Sequence, residues 1–76
     1  MKAIDKDKIS VEFGKFVRAE RERKGLYQAD VAKMLDVSRA YYAFIENGER
    51  DIYFTLALNI CRVLDLDMND FLKQLK

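Results

Sequence analysis

The chain has 76 residues and a formal net charge of +1, so it is long enough for one small domain and carries no bulk charge that identifies a partner. It contains one cysteine and no histidine, which excludes an internal disulfide framework and a metal cluster of cysteine and histidine. No signal peptide is visible and no apolar run approaches the roughly 20 residues of a membrane span, so we expect a cytoplasmic protein without a membrane partner.

The first predicted helix follows a short polar arm and runs from about Ile9 to Lys24. Its apolar residues recur at helical spacing and share one face. These residues are Ile9, Phe13, Phe16 and Val17. Gly25 is predicted to end the helix, because glycine readily adopts the left-handed conformation found just beyond helix C-termini.

Two short helices follow, separated by only two or three residues. The second helix spans about Gln28 to Leu35. The third begins behind Ser38, a residue type favoured as an N-cap, and ends near Asn47-Gly48. Two short helices joined so closely predict a helix-turn-helix.

Two further helices complete the chain, one from about Ile52 to Leu64 and one from about Met68 to Leu75 behind the N-cap Asp67. The sequence has no proline, no internal repeat and no alternating apolar pattern typical of strands. We therefore predict an all-α fold, a compact five-helix bundle that contains a helix-turn-helix. One domain is expected at residues 1–76, with a polar arm at 1–8 and a core at 9–76.

The third predicted helix divides its aromatic residues between two faces. At 100° per residue, Tyr42 and Ile45 fall together on the core side, and Tyr41 lies at the boundary. The opposite side carries Arg39, Ala40, Ala43, Phe44 and Asn47. An exposed phenylalanine beside alanines and an arginine is typical of a surface that binds a partner.

The stretch LYQADVAKMLDVSRAYYAFIENGER, residues 26–50, resembles the signature of the lambda-repressor-like (Xre) helix-turn-helix family. The similarity includes Gln28 at the start of the second helix, Ala32 within it, Ser38 before the third helix, and the run IENG at its end. The flanking segments VRAERERKGL and LALNICRVLDLDMNDFL also fit. The similarity covers about residues 13–72, and the order and spacing of its pieces are specific.

The resemblance implies that the third helix lies in the major groove of double-stranded DNA, while the second crosses the phosphate backbone. Gln28 would hold a phosphate or a base edge, and Ser38 would combine capping with a phosphate contact. Arg39 is then the best reader of bases, because a guanidinium matches the O6 and N7 atoms of guanine. Asn47 and Arg50 become candidates for phosphate contacts.

The apolar and aromatic residues of the third helix have more than one interpretation. Ala40, Ala43 and Phe44 could pack on thymine methyl groups. Alternatively, Phe44 packs under a neighbouring loop or meets a protein partner. Tyr41 either donates its hydroxyl to a phosphate or only covers the rim of the core.

The resemblance also concerns the scaffold around the third helix. Arg21 and Glu46 resemble an ion pair that ties the first helix to the third in this family, a structural role. The chain departs from the family pattern at Tyr27, where a serine or threonine usually caps the second helix, and at Ala43, where a serine is frequent. These departures leave fewer polar groups to read DNA.

The fourth predicted helix is apolar over most of its circumference, and only Thr55, Asn59 and Arg62 form a polar strip. A helix of this kind must be buried on more than one side. The fifth helix covers part of it, and the remainder predicts a homodimer interface on the last two helices. The predicted interface residues are Leu56, Ile60 and Val63. Such a dimer would place two recognition helices about 34 Å apart on a pseudo-palindromic site.

Together these patterns predict a sequence-specific DNA-binding transcriptional regulator, a dimeric repressor or autoregulator. The alternative is a protein-interaction module, such as an antitoxin or adaptor that retains the fold, which the exposed Phe44 and the low net charge favour. An enzyme is not expected, because the sequence has no histidine, no nucleophile–base pair and no phosphate-binding glycine loop. No cofactor or small-molecule ligand is expected.

Overall fold

A computed structural model describes residues 2–75; Met1 in the predicted arm and Lys76 in the predicted core lie outside the described residues. Five α-helices follow one another: α1 Lys6–Arg23, α2 Gln28–Leu35, α3 Arg39–Glu46, α4 Phe54–Leu64 and α5 Met68–Gln74. Residues 2–75 contain no strand, and the predicted all-α fold of five helices is confirmed. No helix in this part of the chain is long and apolar enough to cross a membrane.

Helix α1 begins at Lys6, earlier than the predicted Ile9, because Asp5 caps it. The Asp5 carboxylate accepts the backbone N–H groups of Asp7 at 2.8 Å and Lys8 at 3.4 Å, which satisfies donors that the first turn leaves free. Residues 6–8 therefore belong to the helix rather than to the arm. Ile9, predicted to face the core, is instead partly exposed at the edge of an apolar groove.

The core forms where α1 and α2 pack on α3 and α4. Its buried apolar residues are Phe13, Phe16, Val17, Val31, Ala32, Tyr42, Ile45, Leu56, Ile60, Cys61, Leu64 and Phe71. Helix α5 joins this core through Phe71, whose ring centroid lies 5.1 Å from that of Phe13 and 5.5 Å from that of Phe16. Burial raises the pKa of the Cys61 thiol, so this cysteine behaves as a small apolar residue of the core.

The residues of α4 that were predicted at the dimer interface pack against the core of the single chain instead. Leu56 and Ile60, expected at a dimer interface, are 4% and 0% exposed within the single chain, and Val63 is half-buried against the core. Phe54 and Leu58 are exposed instead. Because α4 is apolar around most of its circumference, its periodicity could not select the side that packs against α1 and α2.

The last two helices also differ from the prediction at one end each. Helix α4 starts at Phe54 rather than at Ile52, because Ile52 packs against the core from a segment that precedes the helix. Helix α5 ends at Gln74, and Leu75 is already extended. Asp67 caps α5 as predicted, since its carboxylate accepts the N–H of Asn69 at 2.9 Å.

Candidate nucleic-acid interface

Helices α2 and α3 are joined by a short turn that fixes their mutual angle. Asp36 ends α2 in the left-handed conformation, with φ 57° and ψ 45°. The N–H of Val37 then donates to the Ala32 carbonyl at 3.0 Å, which closes the helix end. Ser38 begins α3, and its hydroxyl oxygen accepts the N–H of Tyr41 at 3.0 Å. This geometry confirms the predicted helix-turn-helix and the predicted cap.

The face of α3 that points away from the core carries side chains that the sequence assigned to DNA. The exposed residues are Arg39, Ala40, Phe44 and Asn47. Tyr41 and Ala43 are half-buried, and Tyr41 packs against the core, whereas Tyr42 is fully buried. The predicted division of the three aromatic residues between core, rim and surface is therefore confirmed. Of the remaining candidates, Gln28 is half-buried, and Ser38 and Arg50 are exposed.

A buried ion pair connects α1 to the C-terminal end of α3. Arg21 donates from Nε to Oε2 of Glu46 at 2.7 Å and from Nη2 to Oε1 of the same carboxylate at 3.1 Å. The Arg21 Nη1 group donates to the backbone carbonyl of Leu26 at 2.7 Å. Two parallel bonds between a guanidinium and a carboxylate fix both side chains, so the expected link between the first and third helices is confirmed.

The surroundings of this ion pair keep both groups charged. Burial alone would raise the pKa of Glu46, but hydrogen bonds, led by those from Arg21, outweigh it and hold that pKa below its usual value. The bond to Glu46 raises the pKa of Arg21. Burial and the adjacent Glu46 carboxylate raise the pKa of Tyr42, so its hydroxyl stays protonated. That hydroxyl is buried and meets no hydrogen-bond partner among residues 2–75.

Gln28 connects the buried ion pair to the exposed face of α3. Its Nε2 group donates to Oε1 of Glu46 at 3.1 Å, and its Oε1 atom accepts from Nη1 of Arg39 at 3.4 Å. A polar chain of four side chains thus runs from α1 to the first turn of α3: Arg21, Glu46, Gln28 and Arg39. The last contact is long and uses one donor, so Arg39 keeps other donors for a ligand.

Beyond α3 the chain turns back over the exposed face. Gly48, with φ 72°, donates its N–H to the Ile45 carbonyl at 3.1 Å, and Glu49 donates to the Phe44 carbonyl at 2.9 Å. This turn brings Arg50 over Phe44, with 5.0 Å between the guanidinium carbon and the ring centroid. Phe44 therefore packs against the following loop through a cation–π contact, one of the alternatives that the sequence left open.

Arginines without a carboxylate partner lie at both ends of α3. Of the other four arginines, three are paired on the protein itself: Arg18 with Glu22, Arg21 with Glu46, and Arg23 with Glu20. Arg62, on α4, forms no ion pair within residues 2–75. Within residues 2–75, neither Arg39 nor Arg50 forms an ion pair. A helix of this length spans about 12 Å, so two available positive charges flank one short apolar strip. Such a surface suits a polyanion with apolar groups in a groove.

Comparison with known sequences places the chain among proteins with the same motif. A profile of the helix-turn-helix family matches residues 17–71. The chain is also 37% identical over 57 residues to the uncharacterized HTH-type transcriptional regulator YqaF of Bacillus subtilis (strain 168), a similarity that covers 75% of each chain. The matched segment includes α2, the turn and α3.

Solved structures of gene regulators share the fold. The clp gene regulator ClgR of Corynebacterium glutamicum superposes with a TM-score of 0.80 at 25% identity, over 86% of this chain and 84% of that chain. The restriction-modification controller protein C.AhdI of Aeromonas hydrophila superposes with a TM-score of 0.74 at 30% identity, over 80% and 92%. By its α2–turn–α3 geometry and its match over residues 17–71, the chain belongs to the lambda-repressor-like (Xre) family of helix-turn-helix transcriptional regulators.

Proposed function

We propose that the chain is a sequence-specific double-stranded DNA-binding protein, a dimeric repressor or autoregulator that reads a pseudo-palindromic operator with α3 in the major groove. The polar chain from Arg21 to Arg39 carries this proposal, because it holds a guanidinium at the N-terminal end of the exposed face of α3. In helix-turn-helix proteins the N-terminal residues of the recognition helix contact base edges. The names of the relatives, which are regulators and a controller protein, support a role in gene control.

The other exposed groups have complementary tasks in this docking geometry. Gln28 contacts DNA at the start of α2 while its amide supports Arg39. Ser38 uses its oxygen as an acceptor in the cap, so its O–H remains able to donate to a phosphate. Tyr41 and Asn47 contact the backbone from the two sides of α3. Thymine methyl groups pack on Ala40 and Ala43.

Arg39→Ala tests the base-reading role. We expect a loss of roughly 1–3 kcal/mol in binding free energy and a relaxed preference at one base position in each half-site. Gln28→Ala is expected to weaken binding with a smaller change in preference, because its loss frees Arg39 without removing it. Selection from a randomised duplex library, followed by titration of the enriched sequence, measures both effects.

Arg23→Ala is the matched control for charge. It removes the same positive charge from an exposed position at the end of α1, where the Arg23 guanidinium bonds Glu20 and no residue of α3 or α4. We expect its affinity and base preference to remain those of the wild type. If neither Arg39→Ala nor Gln28→Ala changed the affinity or the base preference, the docking geometry would be contradicted.

The proposed dimer uses the apolar side chains that α4 leaves exposed. Phe54 and Leu58 are one helical turn apart and are 77% and 48% exposed. Phe54 also lies at the rim of an open apolar groove of about 300 Å³ lined by Ile9, Phe13, Ile52, Phe54, Ala57, Met68 and Phe71. A projecting ring beside an apolar groove is self-complementary, which is what a twofold interface between identical chains requires.

Phe54→Arg tests this interface. We expect the dissociation constant of the dimer to rise about 30-fold or more, because a central aromatic anchor is worth at least about 2 kcal/mol and a buried charge has no partner there. Sedimentation equilibrium measures the change, and thermal unfolding of the diluted monomer should be little affected because the ring is exposed. Tyr27→Arg, at an equally exposed aromatic residue away from α4, is the control. A wild-type chain that sediments as a monomer at high concentration would rule out the dimer.

A second candidate function is a protein-interaction module, such as an antitoxin or adaptor. The exposed Phe44 and the net charge of +1 favour it, since an apolar patch without bulk positive charge also suits a protein surface. The library selection separates the two functions. No enrichment at low salt, where phosphate binding is strongest, would favour the protein partner.

A further inference from the structure

We infer that Phe44 acts on DNA through Arg50: its ring positions the Arg50 guanidinium so that it binds a backbone phosphate at the C-terminal end of α3. The inference rests on the proposed DNA-binding function. It replaces a direct contact between Phe44 and a thymine methyl group with a positioning role. Phe44 and Arg50 then form one functional unit, the Phe44–Arg50 stack.

The path of the backbone fixes where Arg50 can lie. The two hydrogen bonds that close α3, from Gly48 to Ile45 and from Glu49 to Phe44, turn the chain back over the helix. The same turn is pressed against α1, because a Cβ atom added at Gly48 would lie 2.7 Å from the Cα atom of Val11. The loop therefore has little freedom, and Arg50 emerges next to the Phe44 ring.

The ring holds the guanidinium and leaves its hydrogen-bond donors available. The guanidinium carbon of Arg50 lies 5.0 Å from the centroid of the Phe44 ring, within the range of a cation–π contact. The guanidinium carries five N–H donors, and a contact with a ring face needs no acceptor for them, so donors remain available for a phosphate. Arg50 forms no ion pair with the neighbouring Asp51, whose carboxylate lies 3.7 Å from the Lys6 ammonium in an exposed contact.

A cation held at the C-terminal end of α3 offsets the unfavourable electrostatics of that end of the helix. The C-terminal end of a helix carries a partial negative charge and exposed carbonyl groups, so it repels phosphate. Helix α3 has no basic residue in its last turn. When α3 lies in the major groove, a cation on the following loop therefore gives the backbone phosphate near this end a favourable charge. Arg50 supplies it, and Phe44 limits the positions it samples.

A double-mutant cycle on the enriched operator tests the stack. We expect Arg50→Ala to lower the slope of log K against log salt by about one, as for one lost phosphate contact. Phe44→Leu should weaken binding by about two- to fivefold, because an exposed cation–π contact changes the oriented fraction of the guanidinium by that factor. In the Arg50→Ala background, Phe44→Leu should change affinity by less than about 1.5-fold, since the two residues act together.

Further variants separate positioning from other roles. Phe44→Trp should retain the affinity and the salt slope, because tryptophan is the strongest cation–π partner. Arg23→Ala, which removes an exposed charge from α1, should leave the salt slope unchanged. In the free protein, the NMR signals of the Arg50 side chain should show the upfield shift of protons above a ring, and this shift should vanish in Phe44→Leu. Thermal unfolding checks that each variant is folded.

Two outcomes would contradict the proposed role of the Phe44–Arg50 stack without contradicting DNA binding. Equal losses for Phe44→Leu in the wild-type and Arg50→Ala backgrounds would mean that the ring acts independently. If Phe44→Leu changed the preference at one base position and left the salt slope unchanged, the ring would contact a thymine directly. A wild-type protein that binds no DNA at low salt would instead overturn the proposed function, and the inference with it.

Discussion

Glu46→Ala is expected to lower the free energy of unfolding by about 3–5 kcal/mol, because it leaves the buried Arg21 charge without its partner. The carboxylate is 1% exposed and bonds Arg21 at 2.7 and 3.1 Å, so the pair is shielded from bulk water. A domain of 76 residues has a total stability of about 4–11 kcal/mol. The substitution is therefore expected to remove a large part of this stability. Urea unfolding followed by circular dichroism measures the loss.

Glu22→Ala is the matched control for this substitution. Its carboxylate also approaches Arg21, at 3.9 Å, but it is 55% exposed. We expect a change of about 0–1 kcal/mol, as for other solvent-exposed ion pairs. Equal losses for the two variants would contradict the idea that burial, rather than proximity, makes the Glu46 pair important.

The same pair predicts how stability depends on pH. The pKa of Glu46 is held below its usual value of 4.5 in the folded chain, so its contribution is fully present above that value and is lost as the pH falls through the folded pKa. Glu46→Gln cannot titrate. The difference in unfolding free energy between the wild type and Glu46→Gln should therefore stay constant above about pH 4.5 and shrink as the pH falls below that value. A constant difference would mean that the pKa of Glu46 does not change on folding.

Gly14→Ala is expected to destabilise the domain by about 2–3 kcal/mol, because α1 and α3 approach too closely for a side chain. An added Cβ atom would lie 2.5 Å from the Glu46 carbonyl oxygen and 2.6 Å from that of Ile45. Both neighbours are backbone atoms of α3, so the helix itself must move. Helix propensity alone would favour alanine by about 0.5–1 kcal/mol, which gives the two effects opposite signs. Thermal and urea unfolding will decide between them.

Gly25→Ala separates steric conflict from backbone conformation. An added Cβ atom there would meet no atom within 4 Å, but Gly25 has φ 72°. We expect a loss of about 1–2 kcal/mol from the left-handed conformation alone.

A stabilising Gly14→Ala would show that α1 and α3 pack less closely than described. A destabilised but folded Gly14→Ala should also lose DNA affinity, because its clash displaces the helix that carries Arg39.

The sequence by itself determined the helices and most of their ends. Ser38, Asp67 and Gly25 act where their local chemistry predicts, since capping and left-handed turns involve residues only a few positions apart. The outward face of α3 could also be identified from the sequence, because its residues follow a clear helical period. Asp5 also offered a local capping signal, which the apolar period beginning at Ile9 obscured.

Only the tertiary structure decided which side of α4 is buried and how the binding face is supported. Leu56, Ile60, Phe54 and Leu58 are all apolar, so the choice between core and surface depends on where α1 and α2 pack, not on the period of α4. The bonds from Gln28 to Glu46 and to Arg39 join residues far apart along the chain, and no local pattern encodes them. Arg50 likewise meets Phe44 because the turn at Gly48 is packed against α1, a constraint that arises only when the helices are assembled.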